Sequence, residues 1–333
     1  MRVLEKVSQT FWEDVAGSCL YATFFHTPYW SELMEKTFSY VDITKGFIFD
    51  DGTRAVFPFI QQKHNFFKGI LDDYISGLLY VYGGPIADRE MTRQQLYEII
   101  EYINSAFKMY STILIRGNPY GQDIKPISFK EVKDFSHVVE LFRYKNEEDL
   151  FRSYSKRYRP YIRKAKKSNM AVIKESNSLV DYERLYQIYR KSFKYWGGEI
   201  LTDYSLALFQ NFYNLKNKYI KLWTTYYENK MIGGEITLYW NDYCVSFFPH
   251  YDREYSKLHG RRYTEHNIFL DCIEKGIKFY DFRQSGGVKG VEDFKESMGG
   301  RKYPNSSWIK ENKFLKKIRS VKYSTTLFVN KLN

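Results

Sequence analysis

Cysteine is scarce in this 333-residue sequence: Cys19, Cys244 and Cys272 lie far apart, with no CxxC pair and no Cys/His pairing at zinc spacing. Both a disulfide scaffold and a structural zinc site are argued against. The six histidines are scattered, so no metal centre is expected. Long apolar runs are missing as well. The longest charge-free apolar stretch, Tyr74 to Ala87, is broken by Gly77, Gly83, Gly84 and Pro85, and it falls short of the ~20 residues that cross a bilayer. The first ten residues contain no apolar segment of the kind that directs export. A soluble, cytoplasmic protein is the expectation.

What is present is apolar residue in globular proportion (44%) and a large aromatic share (19%), which argues against disorder. At ~100–200 residues per domain, the length predicts two domains. Charge separates them. Residues 1–150 hold 16 Lys+Arg and 21 Asp+Glu, whereas residues 151–333 hold 35 and 18. The net charge of +12 therefore belongs to the second half, which points to a polyanionic partner there: nucleic acid, nucleotide phosphates or an anionic membrane surface.

Periodicity and turn chemistry order the elements. In the first half Thr10 is placed to cap a short helix, and Pro28 opens a second. Segments 46–50 and 54–60 flank Asp51-Gly52 as a hairpin, and a helix over 93–109 leads into a strand at 111–115. In the second half a strand at 171–173 precedes a helix at 179–193 and another capped by Asp203. Three strands follow at 219–227, 231–240 and 243–249. A helix over 262–275 stops at Gly276 and leads to a buried strand at 277–282. A helix at 292–298 and a strand at 307–309 complete the half. This succession resembles the GNAT acyltransferase fold, and the partial echo in the first half predicts two such domains in tandem, 1–150 and 151–333. The fold class expected is α/β (α+β), each domain a mixed central sheet flanked by helices.

Three segments carry a more specific resemblance. They are Phe25-His26-Thr27-Pro28-Tyr29-Trp30, the basic stretch Ser155–Lys167 with its Arg-Lys-Ala core, and Gly276-Ile277-Lys278-Phe279-Tyr280-Asp281-Phe282 followed by Phe294-Lys295 and Gly299-Gly300. Their order and spacing are similar to the Fem-type family of aminoacyl and acyl transferases, which are built from two GNAT-like domains. No heptad run matches the helical arm inserted in some members, so the chain resembles the compact ones.

The resemblance implies roles for particular residues. Phe294-Lys295 matches the family's F-K pair, whose lysine is assigned to stabilising the tetrahedral oxyanion. The basic stretch holds eight Lys/Arg between Arg152 and Lys167 and no acid; Arg159 and Arg163 are the candidates for acceptor phosphates, with Lys36 as a further basic residue after Trp30. Lys257-Leu258-His259-Gly260-Arg261-Arg262 stands where GNAT enzymes hold the coenzyme A pyrophosphate, but it keeps one glycine of that turn; Arg261 and Arg262 are left to hold phosphates. His250, Asp281 and Glu235 are acid–base candidates. Gly286-Gly287-Val288-Lys289-Gly290 does not match a Walker or dinucleotide fingerprint. It reads as a phosphate-approaching or mobile loop.

The function implied is transfer of an acyl or aminoacyl group, with no bound cofactor, to an amine of a cell-envelope precursor, a peptidoglycan peptide or amino sugar, nucleotide- or lipid-linked. The donor would be aminoacyl-tRNA or acyl-CoA. Two alternatives stand beside it: a coenzyme A-dependent N-acetyltransferase acting on an unrelated small amine, and a non-catalytic tRNA- or nucleic-acid-binding protein using Tyr154, Tyr158 and Tyr161 for stacking. A basic amphipathic pattern from Phe314 to Leu332 leaves two readings open, a terminal helix packed on its own domain or a peripheral contact with the inner membrane surface.

Overall fold

A computed structural model describes residues 1–38, 40–63, 72–107, 111–195, 203–215 and 218–311. Contacts divide the chain into two units: Met1–Tyr21, Phe25–Asp134 and Asn305–Asn333 form the first, Ala22–Phe24 and Phe135–Pro304 the second. This departs from the cut at residue 150. The boundary falls inside the strand Lys130–Glu140, whose Lys130–Asp134 half lies at the exposed surface while Ser136–Val139 is buried. A tally of charge cannot see a strand that changes environment midway, nor a C-terminal segment that returns to the first unit.

The first unit runs β1 (Arg2–Leu4), α1 (Gln9–Ser18), α2 (Pro28–Phe38), β2 (Val41–Asp42), β3 (Lys45–Ile48), β4 (Arg54–Phe57), β5 (Ile60–Gln62), β6 (Asp73–Ser76), β7 (Ile86–Ala87), α3 (Arg93–Ala106) and β8 (Thr112–Arg116). Ser8 rather than Thr10 caps α1, its Oγ accepting from Phe11 N–H. Thr92 and Gln95 form a capping box on α3. The α3 face of Leu96, Ile99, Ile100 and Ile103 packs with Phe59, Ile113 and Ile115. Strands β6 and β8 pair in parallel across the α3 crossover. The Phe25–Trp30 segment is held by packing: Trp12 Nε1 donates to the His26 carbonyl at 2.6 Å, and the His26 ring meets the Gly83 carbonyl at 3.1 Å.

The second unit contains β9 (Lys130–Glu140, from Phe135), α4 (Glu147–Ser153), α5 (Arg159–Lys166), β10 (Ala171–Ile173), α6 (Leu179–Tyr195), α7 (Leu206–Asn214), β11 (Ile220–Tyr227), β12 (Lys230–Trp240), β13 (Tyr243–Tyr251), α8 (Gly260–Glu274), β14 (Phe279–Gln284), α9 (Lys289–Ser297) and the start of β15 (Arg301–Lys310). Its strands lie in the order β10-β11-β12-β13-β14-β9. All neighbours are antiparallel except β13 and β14, as the α8 crossover requires. Ser205, not Asp203, precedes α7; Asp203 instead pairs with Arg190. Gly276 ends the α8 turn at φ 71°, a conformation that costs glycine little. Pro160 sits in the first turn of α5, and the break in the basic stretch comes before it, at residues 154–158. The amphipathic segment 314–332 lies outside the described residues.

One glycine decides the strand geometry beside the site. A Cβ on Gly233 of β12 would lie 2.1 Å from the Tyr251 ring, which covers it from β13. Gly233→Ala therefore lowers stability by roughly 2 kcal/mol or more, since overpacking of a filled core commonly costs about 1–3. The urea midpoint measures this directly.

Candidate active site

The site begins where β13 and β14 part. They pair only at Tyr243↔Phe279, Cys244↔Tyr280 and Val245↔Asp281, although β13 continues to Tyr251 and β14 to Gln284. Both strands are distorted beyond that point. On β13, Phe248 has φ 55° and the register with β12 slips between Gly234↔His250 and Ile236↔Phe247. This is a bulge, where a proline such as Pro249 is tolerated. On β14, Arg283 has φ 63°, and Asp281 Oδ1 accepts its N–H at 2.6 Å. Asp281 thus fixes the bend in β14, which is a different task from the proton transfer expected of it.

Lys295 lies beside this opening. Its side chain comes from α9, only 3% of it is exposed, and Nζ donates to the carbonyls of Arg283 (2.9 Å) and Gln284 (2.8 Å). An ammonium has three donors, so one has no protein acceptor. Burial, then Arg261 and Arg283, push Lys295 down to about 7.

Phe294, its neighbour, is a platform for cations: the Arg261 and Arg262 guanidiniums stand 4.2 and 5.1 Å from its ring centre. Arg262 also lies 4.7 Å from the Tyr158 ring and 5.3 Å from the Tyr161 ring, and its Nε has no hydrogen-bond partner. These arginines open α8, whose N-terminus no side chain caps. Two cations at the positive end of a helix dipole are unfavourable alone, and the arrangement suits an anion.

Two buried carboxyls underlie the arginines. Glu235 and Glu265 are fully buried. Glu235 Oε1 accepts from Tyr280 Oη at 2.6 Å and its Oε2 has no partner; burial raises its pKa. Glu265 Oε1 accepts from Arg261 Nε at 3.1 Å, and its Oε2 is also unpartnered. Burial outweighs Arg261 and pushes Glu265 up to about 8.

A carboxyl raised from 4.5 binds its proton more tightly in the folded chain. It withdraws stability as pH rises from about 4.5 to about 8. Glu265→Gln removes that fall, so variant and parent diverge across this window in denaturant titrations at stepped pH. Parallel pH profiles would refute the assignment.

The remaining expected residues are placed elsewhere. His250 is half-buried, 5.1 Å from the Tyr189 ring and 6.0 Å from Phe248. Burial and Arg261 push it down to about 3, too low for a base working near neutrality. Arg159 is committed to main-chain carbonyls, with Nε on Tyr154 O at 3.0 Å and Nη2 on Arg152 O. Arg163 covers the Phe151 ring at 5.0 Å. Nor is the basic ridge uncompensated: Arg152 pairs with Glu148, and Lys166 with Glu147 at 3.0 Å. Lys36 belongs to the first unit, where it pairs with Glu32 one helical turn away at 2.6 Å. The structure thus brings together Phe294, Lys295, Arg261 and Arg262, and adds Glu265, Tyr280 and Arg283. Arg261 and Glu265, four apart, were readable as a helical pair; the burial of that pair was not. Among the described residues, no group of three or more His, Cys, Asp or Glu is placed to hold a metal ion, and no helix is long and apolar enough to cross a membrane.

Residues 152–296 match the acetyltransferase (GNAT) domain family. FemX is similar in structure over 92% of this chain and 97% of its own, at 12% identity and a TM-score of 0.71. The C-terminal domain of a candidate lysylphosphatidylglycerol synthetase from Agrobacterium fabrum matches 91% of each chain, at 9% identity and a TM-score of 0.59. L-PGS from Bacillus licheniformis matches 97% of this chain and 94% of its own, at 12% identity and 0.54. No curated protein sequence matches. At such identities the structural likeness is one of fold. The chain therefore carries a GNAT-type domain in a Fem-like mixed α/β fold, and by class it is an acyltransferase.

Proposed function

We propose that the protein transfers an activated acyl or aminoacyl group from a phosphate-bearing donor, acyl-CoA or aminoacyl-tRNA, to an amine of a cell-envelope precursor. The observation that carries this reading is the Lys295 ammonium. It is buried at the parting of β13 and β14, aimed by two main-chain carbonyls, with one donor to spare for a tetrahedral oxyanion. Arg261 and Arg262 are the groups for the donor's phosphates, held in place by Phe294, Tyr158 and Tyr161. Glu235, with one free carboxyl oxygen, is the candidate to take the acceptor's proton.

The envelope acceptor rests on the likeness to FemX, to L-PGS and to a domain described as part of a lysylphosphatidylglycerol synthetase, together with the Fem-type motifs. Purified protein is incubated with labelled acetyl-CoA or charged tRNA and a panel of acceptors: nucleotide-linked and lipid-linked peptidoglycan precursors, amino sugars, phosphatidylglycerol and unrelated small amines. Transfer to an envelope precursor is expected. Transfer confined to unrelated amines would replace the acceptor, and no transfer from any donor would overturn the proposal.

A further inference from the structure

The outer edge of β11 leaves a second concave surface in this unit. Along an antiparallel strand, successive residues turn their main-chain groups to opposite sides. Tyr219, just before β11, accepts from Tyr239 N–H of β12 at 2.7 Å, so Ile220 and Leu222 face the other way. There β10 pairs only with Thr224, Thr225 and Tyr226, and the Leu222 carbonyl accepts from Ser176 N–H at 2.8 Å. The uncovered start of the edge opens a cleft of about 350 Å³, with Lys218 and Lys221 on its wall, Asn177 at its rim and Ile220, Leu222 and Tyr182 as its apolar part. Small-ligand pockets begin at about 300 Å³.

The charge around this cleft is one-sided. Lys174 and Lys275 both pair with Asp271, Lys275 at 2.9 Å. Glu175 takes φ 56°, a conformation a side chain adopts at a cost, and its carboxylate is shared by Lys221 and Lys275. Among the described residues no carboxylate pairs with Lys218, whose ammonium stands 4.9 Å from the Tyr219 ring. Asp181, which accepts from Ser176 Oγ, is answered by Arg184 at 3.5 Å. Four lysines thus face Glu175 and Asp271, leaving two positive charges uncompensated. Burial lowers the pKa of Lys221 against the pull of Glu175. The cleft is also distinct from the arginines that open α8. Lys275 closes that helix, and the helix between Arg261 and Lys275 is roughly 20 Å long at about 1.5 Å per residue.

We propose that this cleft is a second anion site, which takes a phosphate-bearing small molecule with its phosphate between the ammoniums of Lys218 and Lys221. A phosphate monoester carries close to two negative charges at neutral pH and matches the two uncompensated lysines, where a single carboxylate does not. Lysines bind phosphate as point charges, so no fork geometry is required of them. Lys221 can turn to the ligand without orphaning a carboxylate, because Glu175 keeps Lys275. The body of the molecule lies on Ile220, Leu222 and Tyr182. The site does not depend on the acyl-transfer reading.

The test titrates the full chain with phenyl phosphate, and with benzoate for comparison, in a calorimeter at fixed ionic strength. Phenyl phosphate should bind and benzoate should bind at least about 10-fold more weakly. Lys218→Gln and Lys221→Met should each weaken phenyl phosphate about 10-fold, and Arg262→Ala should leave it within about twofold. Lys218 is exposed, so its substitution keeps the test decisive even if Lys221→Met unfolds the chain. Lysine labelling with acetic anhydride, read by mass spectrometry, should show phenyl phosphate protecting Lys218 and Lys221 but not Lys36. No binding, equal binding of benzoate, or binding that Lys218→Gln leaves unchanged overturns the proposal, as does binding that only Arg262→Ala removes. Lysine-dependent binding of a short single-stranded RNA without binding of phenyl phosphate would give this face to nucleic acid and overturn the small-molecule site.

Discussion

Lys295→Met lowers turnover by about 10²–10³-fold, the range for removing one donor from an oxyanion site, and leaves the donor KM near the parental value. The split follows from what the ammonium touches. Its ground-state partners are the Arg283 and Gln284 carbonyls, so its third donor gains an acceptor only as charge develops on the reacting carbonyl. Stability should move little, because two effects oppose. Losing an ammonium pushed down to about 7 relieves a desolvation cost of a few kcal/mol, while two carbonyls lose their donor at roughly 1–3 kcal/mol each. The Lys295 contribution has the opposite slope to that of Glu265. A lysine lowered from 10.5 to about 7 withdraws stability below about 7 and restores it as pH rises towards 10.5, so the variant gains most over the parent in acid. Single-turnover rates with thermal unfolding at two pH values separate these effects. Turnover within twofold of the parent would take Lys295 out of the chemistry.

Arg262→Ala should raise the donor KM about 10–100-fold with kcat nearly unchanged, since charge-assisted hydrogen bonds contribute ~1.5–3 kcal/mol each. The guanidinium is braced by Tyr158, Tyr161 and Phe294 and has no acceptor for Nε. Its hydrogen-bonding capacity is therefore available to a ligand without breaking an ion pair. Phosphate recognition also carries a salt signature: binding should weaken as ionic strength rises, and less steeply in the variant. Equal salt slopes for parent and variant would place the phosphates elsewhere. Arg163→Ala is the internal comparison, because its guanidinium already covers Phe151; it should leave the donor KM within about twofold.

Much of the second unit could be read from its sequence because each signal there is local. Gly276 ends α8, the apolar run after it forms β14, and Phe294-Lys295 falls on a short helix beside that strand. The failures come from long-range facts. Strand β9 carries charge along half its length and hides its apolar half, so neither periodicity nor composition marked it. The basic stretch reads as uncompensated because Glu147 and Glu148, which answer Lys166 and Arg152, lie ahead of its first cation. Glu265 reads as an ordinary helix acid until α8 is known to be buried along much of its length.

We place acyl transfer where β13 and β14 part. That placement is tested most directly by a crystal structure of the protein with a non-transferable analogue of whichever donor supports transfer. The expected result puts the analogue's carbonyl between the ends of the two strands, its oxygen within hydrogen-bond distance of Lys295 Nζ, and its phosphates against Arg261 and Arg262. A carbonyl bound away from Lys295, with the strand ends unoccupied, would contradict it.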